Sequence, residues 1–222
     1  MTATHALSDN VEEYQEAIHH FNSTPRGAST TRLATHLRVK PASVTGMLRR
    51  LARLGLIAYR RYYDITLTDE GERRAHVVIR RHRLSERLLT DVLKLPLHEA
   101  HDQACRLEHA FSPELEKRLA TALGSPDSCP HGHPVDAAAR DHTIPLLDAP
   151  ANRQLAIARL DDESTEVIRY LADRGLLPGA RVTIKQRDPL GGAVQLHLGG
   201  KTYTLGERLA STIRVEKPRR RR

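Results

Sequence analysis

The sequence is short of several things at once. Its 222 residues include two cysteines, two phenylalanines and no tryptophan. Two thiols, Cys105 and Cys129, are too few for a disulfide framework and fit a reducing compartment. With so little aromatic content, the cores must be mostly Leu, Ile, Val and Ala. No apolar run approaches the ~20 residues that a membrane span needs. Met1–Asn10 has no hydrophobic signal region, so a cytoplasmic chain with no membrane partner is expected. Acidic residues are missing from one long stretch. Between Arg26 and Tyr63 there is no Asp or Glu, yet Arg26, Arg32, Arg38, Lys40, Arg49, Arg50, Arg53, Arg60 and Arg61 all fall there. Solvated surfaces normally mix charge signs, so a run this one-sided suits a phosphate-facing surface. The net charge of +8 with His neutral also indicates an anionic partner, nucleic acid first. His-Glu-x-x-His is absent, so the helical motif of zinc hydrolases is excluded.

The basic stretch has an organisation. Val11–Phe21 carries Tyr14, Ala17, Ile18 and Phe21 at helical spacing. Pro25 and Gly27 mark a turn, and a short helix follows over Thr31–Leu37. After a turn at Arg38-Val39-Lys40, Pro41 opens a helix running to Leu54, which Gly55 stops. Leu56–Arg61 and Ile65–Thr68 read as strands joined by a turn at Tyr62-Tyr63-Asp64. Helix, turn, helix and a two-stranded ribbon make a winged helix-turn-helix pattern. Base-contacting residues lie near the start of the recognition helix in this motif. Ser43 and Thr45 could reach base edges there, and Ala42 could touch a thymine methyl. Arg49, Arg50, Arg60 and Arg61 suit phosphates, and Arg32 and Lys40 complete the DNA-facing set.

Downstream, two helices joined by Lys94-Leu95-Pro96 carry a concentration of metal-binding side chains. A long helix over Glu72–Lys94 holds His82 and Glu86, four apart, and the next, Pro96–Ala110, holds His101, Cys105, Glu108 and His109 on one side. Together they offer three imidazoles, two carboxylates and one thiol, a donor set for a divalent first-row transition metal. A third helix, Pro113–Leu123, repeats Leu115, Leu119 and Leu123. The apolar faces of these helices are too wide for a small monomer to cover, so a dimerisation domain and a homodimer are expected. Winged helices that dimerise commonly read palindromic half-sites of double-stranded DNA.

Gly124–Pro150 reads as loop and linker, and Cys129-Pro130-His131-Gly132-His133 within it reads as loop in preference to metal site. From Asn152 the texture changes. A strand over Leu155–Leu160 and a helix over Ser164–Arg174 come first. Strands at Ala180–Asp188, Ala193–Leu198, Lys201–Leu205 and Thr212–Glu216 then describe a small β-barrel. The tail ends in four arginines, expected to be disordered and to add non-specific DNA affinity. The expected fold is mainly α with small β parts. Its divisions are a winged helix-turn-helix domain over 1–75, helical dimerisation and metal binding over 76–145, a linker over 146–152, an SH3-like domain over 153–217 and a basic tail over 218–222.

These residues resemble the diphtheria toxin repressor family of iron- and manganese-dependent transcription regulators. The most specific match runs from Arg81 to Asp91 and on through His101–His109, with a looser one at Pro130-His131-Gly132-His133-Pro134, where family members often have Asn at the place of His133. The resemblance covers about Leu7–Glu216 and implies the three-part layout, with a C-terminal barrel similar to SH3 folds and FeoA-like domains. It implies that His82, Glu86 and His101 form one metal site. It further implies that Cys105, Glu108 and His109 form a second site, completed by Glu13. Iron-type members tend to pair Met at the place of Glu13 with Cys at that of Cys105, while manganese-type members tend to have carboxylates at both and an acid at that of Glu16. This chain mixes the two. Hard carboxylates favour manganese and thiolate favours softer ions; with Glu13 and Glu16 against Cys105, Mn(II) is favoured and Fe(II) possible. Ligands from the acidic stretch Asp161–Glu166 are left open. The expected output is repression of metal-uptake genes when metal is plentiful. The alternatives are a regulator of a small organic ligand and a metallohydrolase, which would need an open coordination position and a substrate cleft.

Overall fold

The computed structural model describes residues 9–24, 26–58, 65–139, 141–162, 164–188 and 192–218. It divides into two compact units, 1–81 and 82–222.

In the N-terminal unit, α1 (Asp9–Asn22) turns Val11, Tyr14, Ala17, Ile18 and Phe21 inward, as the helical spacing predicts. α2 (Thr30–His36) is capped by Ser29, whose side chain accepts from the Arg32 amide. α3 (Pro41–Arg53) starts on Pro41, where the missing amide hydrogen costs nothing. Leu33, Val44, Leu48 and Leu51 from these helices close on Leu56 and Ile65 to form the core. β1 (Ile57–Ala58) pairs antiparallel with β2 (Thr66–Leu67), and Ala28 bridges to Ile65 beside them. The base of the expected ribbon is therefore present. The expected turn at Tyr62–Asp64, together with Arg60 and Arg61, lies outside the described residues.

α4 (Asp69–Arg87) begins in the first unit and ends in the second. The sequence predicts one helix to Lys94. Instead, Leu88–Val92 forms a π-helical turn, with the Leu93 amide reaching back to the Leu88 carbonyl, and Lys94 adopts a left-handed φ of 58°. Apolar periodicity does not register a single wide turn, and such turns concentrate at functional sites. α5 (Leu97–Leu107) tightens into a 3₁₀ turn at Glu108–Ala110, and α6 (Pro113–Ala122) follows, capped by Ser112.

The remainder builds one six-stranded antiparallel sheet. Its strands are β3 (Ile144–Pro145), β4 (Gln154–Leu160), β5 (Arg181–Arg187), β6 (Ala193–Leu198), β7 (Lys201–Gly206) and β8 (Ile213–Glu216), in the order β3-β8-β4-β5-β6-β7. The expected barrel thus takes the form of a sheet with β3 and β7 at its edges. α7 (Thr165–Ala172) places Ile168 and Leu171 in its core, and a short α8 (Glu207–Ala210) places Ala210 there. The stretch expected as linker is partly structural, since β3 pairs with β8 and Leu146 and Ala149 are buried in the same core. A two-residue edge strand containing Pro145 is too short to show alternation. The four terminal arginines lie outside the described residues. No helix among the described residues is long and apolar enough to cross a membrane.

Candidate metal centre

α4 and α5 bring the predicted ligands together through His82. Its two ring nitrogens face two different carboxylates, Nε2 at 3.3 Å from Glu86 and Nδ1 at 2.6 Å from Glu108. Glu86 is fully buried, and its Oε1 also lies 3.8 Å from His101 Nδ1. Cys105 Sγ is 3.8 Å from His101 Nε2 and 4.0 Å from His82 Nδ1, and His109 Nε2 is 3.3 Å from the second oxygen of Glu108. The 3₁₀ turn that ends α5 supplies both Glu108 and His109. The two ligand sets implied by the resemblance are therefore contiguous, with His82 touching a carboxylate of each.

The loop after α6, expected as loop alone, also approaches this cluster. His131 is fully buried, with Nδ1 2.9 Å from Glu86 Oε1. Glu86, Cys129 and His131, all buried, each offer one ligand atom within 4.8 Å of the others. His82, His101 and Cys105 form another such group. Several contacts hold the loop in place. Arg87 Nε donates to the Ser128 carbonyl at 2.7 Å, the Leu160 amide to the His131 carbonyl at 2.9 Å, and His133 Nε2 lies 3.0 Å from the Leu160 carbonyl. Gly132 lets the loop lie on β4, because a Cβ there would strike the Ala158 carbonyl and its φ is +92°. The signal available in the sequence was Cys-x-His, two metal-ligand types one residue apart.

The electrostatics of the cluster are set by contacts among its own members. Burial opposes charge on His82, but hydrogen bonds with Cys105, Glu108 and Glu86 outweigh it and hold the imidazole well above its ordinary value. Burial would raise Glu86, yet its contacts with His101, His131 and His82 hold it well below the usual carboxylate range. Burial likewise opposes ionisation of Cys105, and the neighbouring His101 and His82 override it and favour thiolate. Glu86 Oε2 is buried and has no hydrogen-bond partner among the described residues. A buried carboxylate oxygen without a partner is costly, and a bound cation would satisfy it. The residues fit a divalent metal.

Glu13 and Glu16 lie on α1 in the N-terminal unit, Glu13 exposed and Glu16 half-buried. The expected DNA-facing residues are mixed in placement. Lys40, Ala42, Ser43, Arg49 and Arg50 are exposed, and half-buried Thr45 returns its hydroxyl to the Pro41 carbonyl at 3.1 Å. Arg32 is engaged internally, stacked 4.2 Å over the Phe21 ring and donating to Thr24 and to the Gly27 carbonyl. That packing role competes with the phosphate contact expected of it.

Comparison with known proteins places this geometry in context. Residues 6–65 match the iron dependent repressor N-terminal DNA binding domain, 68–136 its metal binding and dimerisation domain, and 144–217 the FeoA domain. The iron-dependent repressor IdeR of Mycobacterium leprae is 31% identical over 95% of this chain and 98% of its own. The diphtheria toxin repressor of Corynebacterium diphtheriae is 31% identical over 95% of this chain and 98% of its own. A manganese-dependent transcriptional repressor solved in complex with manganese superposes with a TM-score of 0.86 at 30% identity, covering 93% of this chain and 99% of its own. ScaR, solved with bound Zn2+, superposes at 0.81 with 26% identity over 94% of this chain and 99% of its own.

Proposed function

The chain belongs to the iron-dependent repressor family, and on that footing we propose that it is a Mn(II)-activated repressor of metal-uptake genes, with Fe(II) able to substitute. The family comprises metal-dependent DNA-binding repressors, not enzymes. The observation that carries the proposal is the buried donor set around His82, with Glu86 and Glu108 on either side of one imidazole, and the preference for Mn(II) rests on the further carboxylates of Glu13 and Glu16.

Metal would be held by His82, Glu86, His101, Cys105, Glu108 and His109, with Cys129 and His131 added on the Glu86 side. Glu13 and Glu16 are assigned as further oxygen donors from the family resemblance. The ion supplies positive charge to a cluster of buried carboxylates. The thiols of Cys105 and Cys129 allow softer ions such as Zn(II) or Cd(II) to bind, while the carboxylates favour Mn(II) under physiological supply. The protein's own residues set the terms. The contacts among them favour a charged His82 and an ionised Glu86, and the loop bearing Cys129 and His131 is anchored by Arg87 and β4.

The operator is proposed to be palindromic and read by a homodimer in the cytoplasm. Val92, Leu93 and Leu115 are large apolar side chains left exposed in the region matching the dimerisation domain, which supports a partner there. Any arrangement of the two recognition helices that metal favours is enriched by it, and operator DNA must tighten metal binding by the same factor. The test is binding to genomic fragments under chelator and under titrated Mn(II), with sedimentation on the same samples. Mn-dependent binding by a dimer is expected; equal binding under chelator, or a monomer at micromolar concentration, would contradict it.

A further inference from the structure

A second group of metal-binding side chains lies wholly within the N-terminal unit and shares no residue with the cluster described above. His19 is on α1, and Glu72 and His76 are four apart on α4. His19 Nδ1 is 2.8 Å from Glu72 Oε2, and His76 Nε2 is 3.4 Å from the same oxygen. The two imidazole rings meet edge to face with centroids 5.1 Å apart. One ligand atom from each of the three residues lies within 4.8 Å of the others. We propose that His19, Glu72 and His76 form a separate site for a late first-row divalent ion of the Zn(II) type.

The backbone frame brings these groups together in advance. Gln15, one turn before His19, is buried and donates from Nε2 to the Gly71 carbonyl at 3.1 Å. Gly71 in turn lies against the Leu56 backbone with no room for a Cβ. The residues beside Glu72 and one turn below His19 are thus fixed to each other. A tetrahedral centre with bonds of ~2.0–2.1 Å separates its ligand atoms by roughly 3.3 Å. The two observed nitrogen–oxygen distances lie on either side of that value, and all three ligand atoms lie within 4.8 Å of one another. Three protein ligands, 21%, 38% and 30% exposed at their side chains, leave a fourth position open to water. An imidazole-rich set favours zinc and its neighbours over manganese, which prefers oxygen. The competing description is an ion-pair network in which both imidazoles donate to Glu72 and no metal enters. The two descriptions differ in metal stoichiometry. Occupancy would clasp α1 to α4 inside the DNA-binding unit, independently of the Mn(II) proposal.

The experiment counts zinc in the full-length protein after equilibrium dialysis against buffered Zn(II), comparing wild type with His19→Gln/His76→Gln. The double variant should hold one zinc fewer per chain and keep Mn-dependent operator binding. Equal zinc content overturns the site. Circular dichroism accompanies both samples. If the double variant is not folded, His76→Gln and Glu72→Gln each carry the test, with Zn(II) affinity at this site expected to fall at least about tenfold. Unchanged affinity in a folded single variant overturns the site equally. If wild type shows no Mn-dependent DNA binding but the zinc difference persists, the Mn(II) proposal fails and this one stands.

Discussion

Around β4, β5 and β6 the buried side chains are Leu155, Ile157, Leu160, Val182, Ile184 and Leu196, and among the described residues no buried polar side chain joins that core. Beside α4, in the same compact unit, the buried side chains include His82, Ser85, Glu86, Glu108 and His131, and among the described residues a small apolar cluster is formed by Leu84, Ala120 and Val135. The sheet gains its stability from apolar transfer, at about 25 cal/mol per Å² removed from water, and needs no ligand for it. The helical interior buries ionisable groups, which is costly unless each is paired. Its stability therefore depends on what occupies the cluster, a proton on His82 or a metal ion. One interior is a scaffold, and the other is able to respond.

The contrast is tested most severely by exchanging the damage. Glu86→Ala removes the acceptor facing His82, His101 and His131, and should weaken Mn(II) about 100-fold or more and abolish metal-dependent operator binding. Leu196→Ala should cost roughly 2–5 kcal/mol in denaturant unfolding yet leave Mn(II) affinity of the folded protein within about twofold. A large metal effect from Leu196→Ala, or none from Glu86→Ala, breaks the comparison.

Acidity should sharpen it. The folded-state value of His82 is raised, so in metal-free protein its contribution is fully present below the unfolded value and is lost as pH rises through the raised one. Glu86 is depressed, so its contribution is present above the ordinary carboxylate value and is lost as pH falls through the lowered one. If Mn(II) displaces a proton held by His82, its affinity should climb by about tenfold per pH unit for each proton released, then level off above the raised value. Titration calorimetry in buffers of different ionisation enthalpy would count those protons; binding without proton release would contradict a proton on His82 in the metal-free protein.

Smaller effects are expected on the DNA-facing side. Arg49→Ala or Arg50→Ala should weaken operator and random DNA alike and reduce the salt slope by about one. Ser43→Ala should narrow the gap between operator and non-operator sequences by ~1 kcal/mol, measured by competition binding. Arginine variants with unaltered affinity would place the contact surface elsewhere.

The same contrast explains which features the sequence makes legible. Helices and strands with regular periodicity were legible, as in Val11–Phe21, Pro41–Leu54 and Ala193–Leu198. So was the clustering of His82, Glu86, His101 and Cys105, because α4 and α5 carry them at fixed intervals. Features without a period were not legible. The π-helical turn after Glu86, the edge strand at Ile144–Pro145 and the approach of His131 to Glu86 each depend on a long-range contact or a local irregularity. His131 is nearer to Glu86 Oε1 than His101 is, though it comes from a loop with no helical register. Arg32 shows the reverse limit, since its charge suggested phosphate and its surroundings engage it with Phe21 and Gly27.

We propose that the buried cluster is a manganese-responsive switch for DNA binding. The most direct measurement is anaerobic operator binding across buffered Mn(II) and Fe(II), at the free concentrations a cell maintains. Wild type should respond to Mn(II) in that range, Glu13→Met should shift activation toward Fe(II), and Cys105→Glu should sharpen the Mn(II) response. A wild-type protein that responds to Fe(II) in that range and ignores Mn(II) would contradict the account.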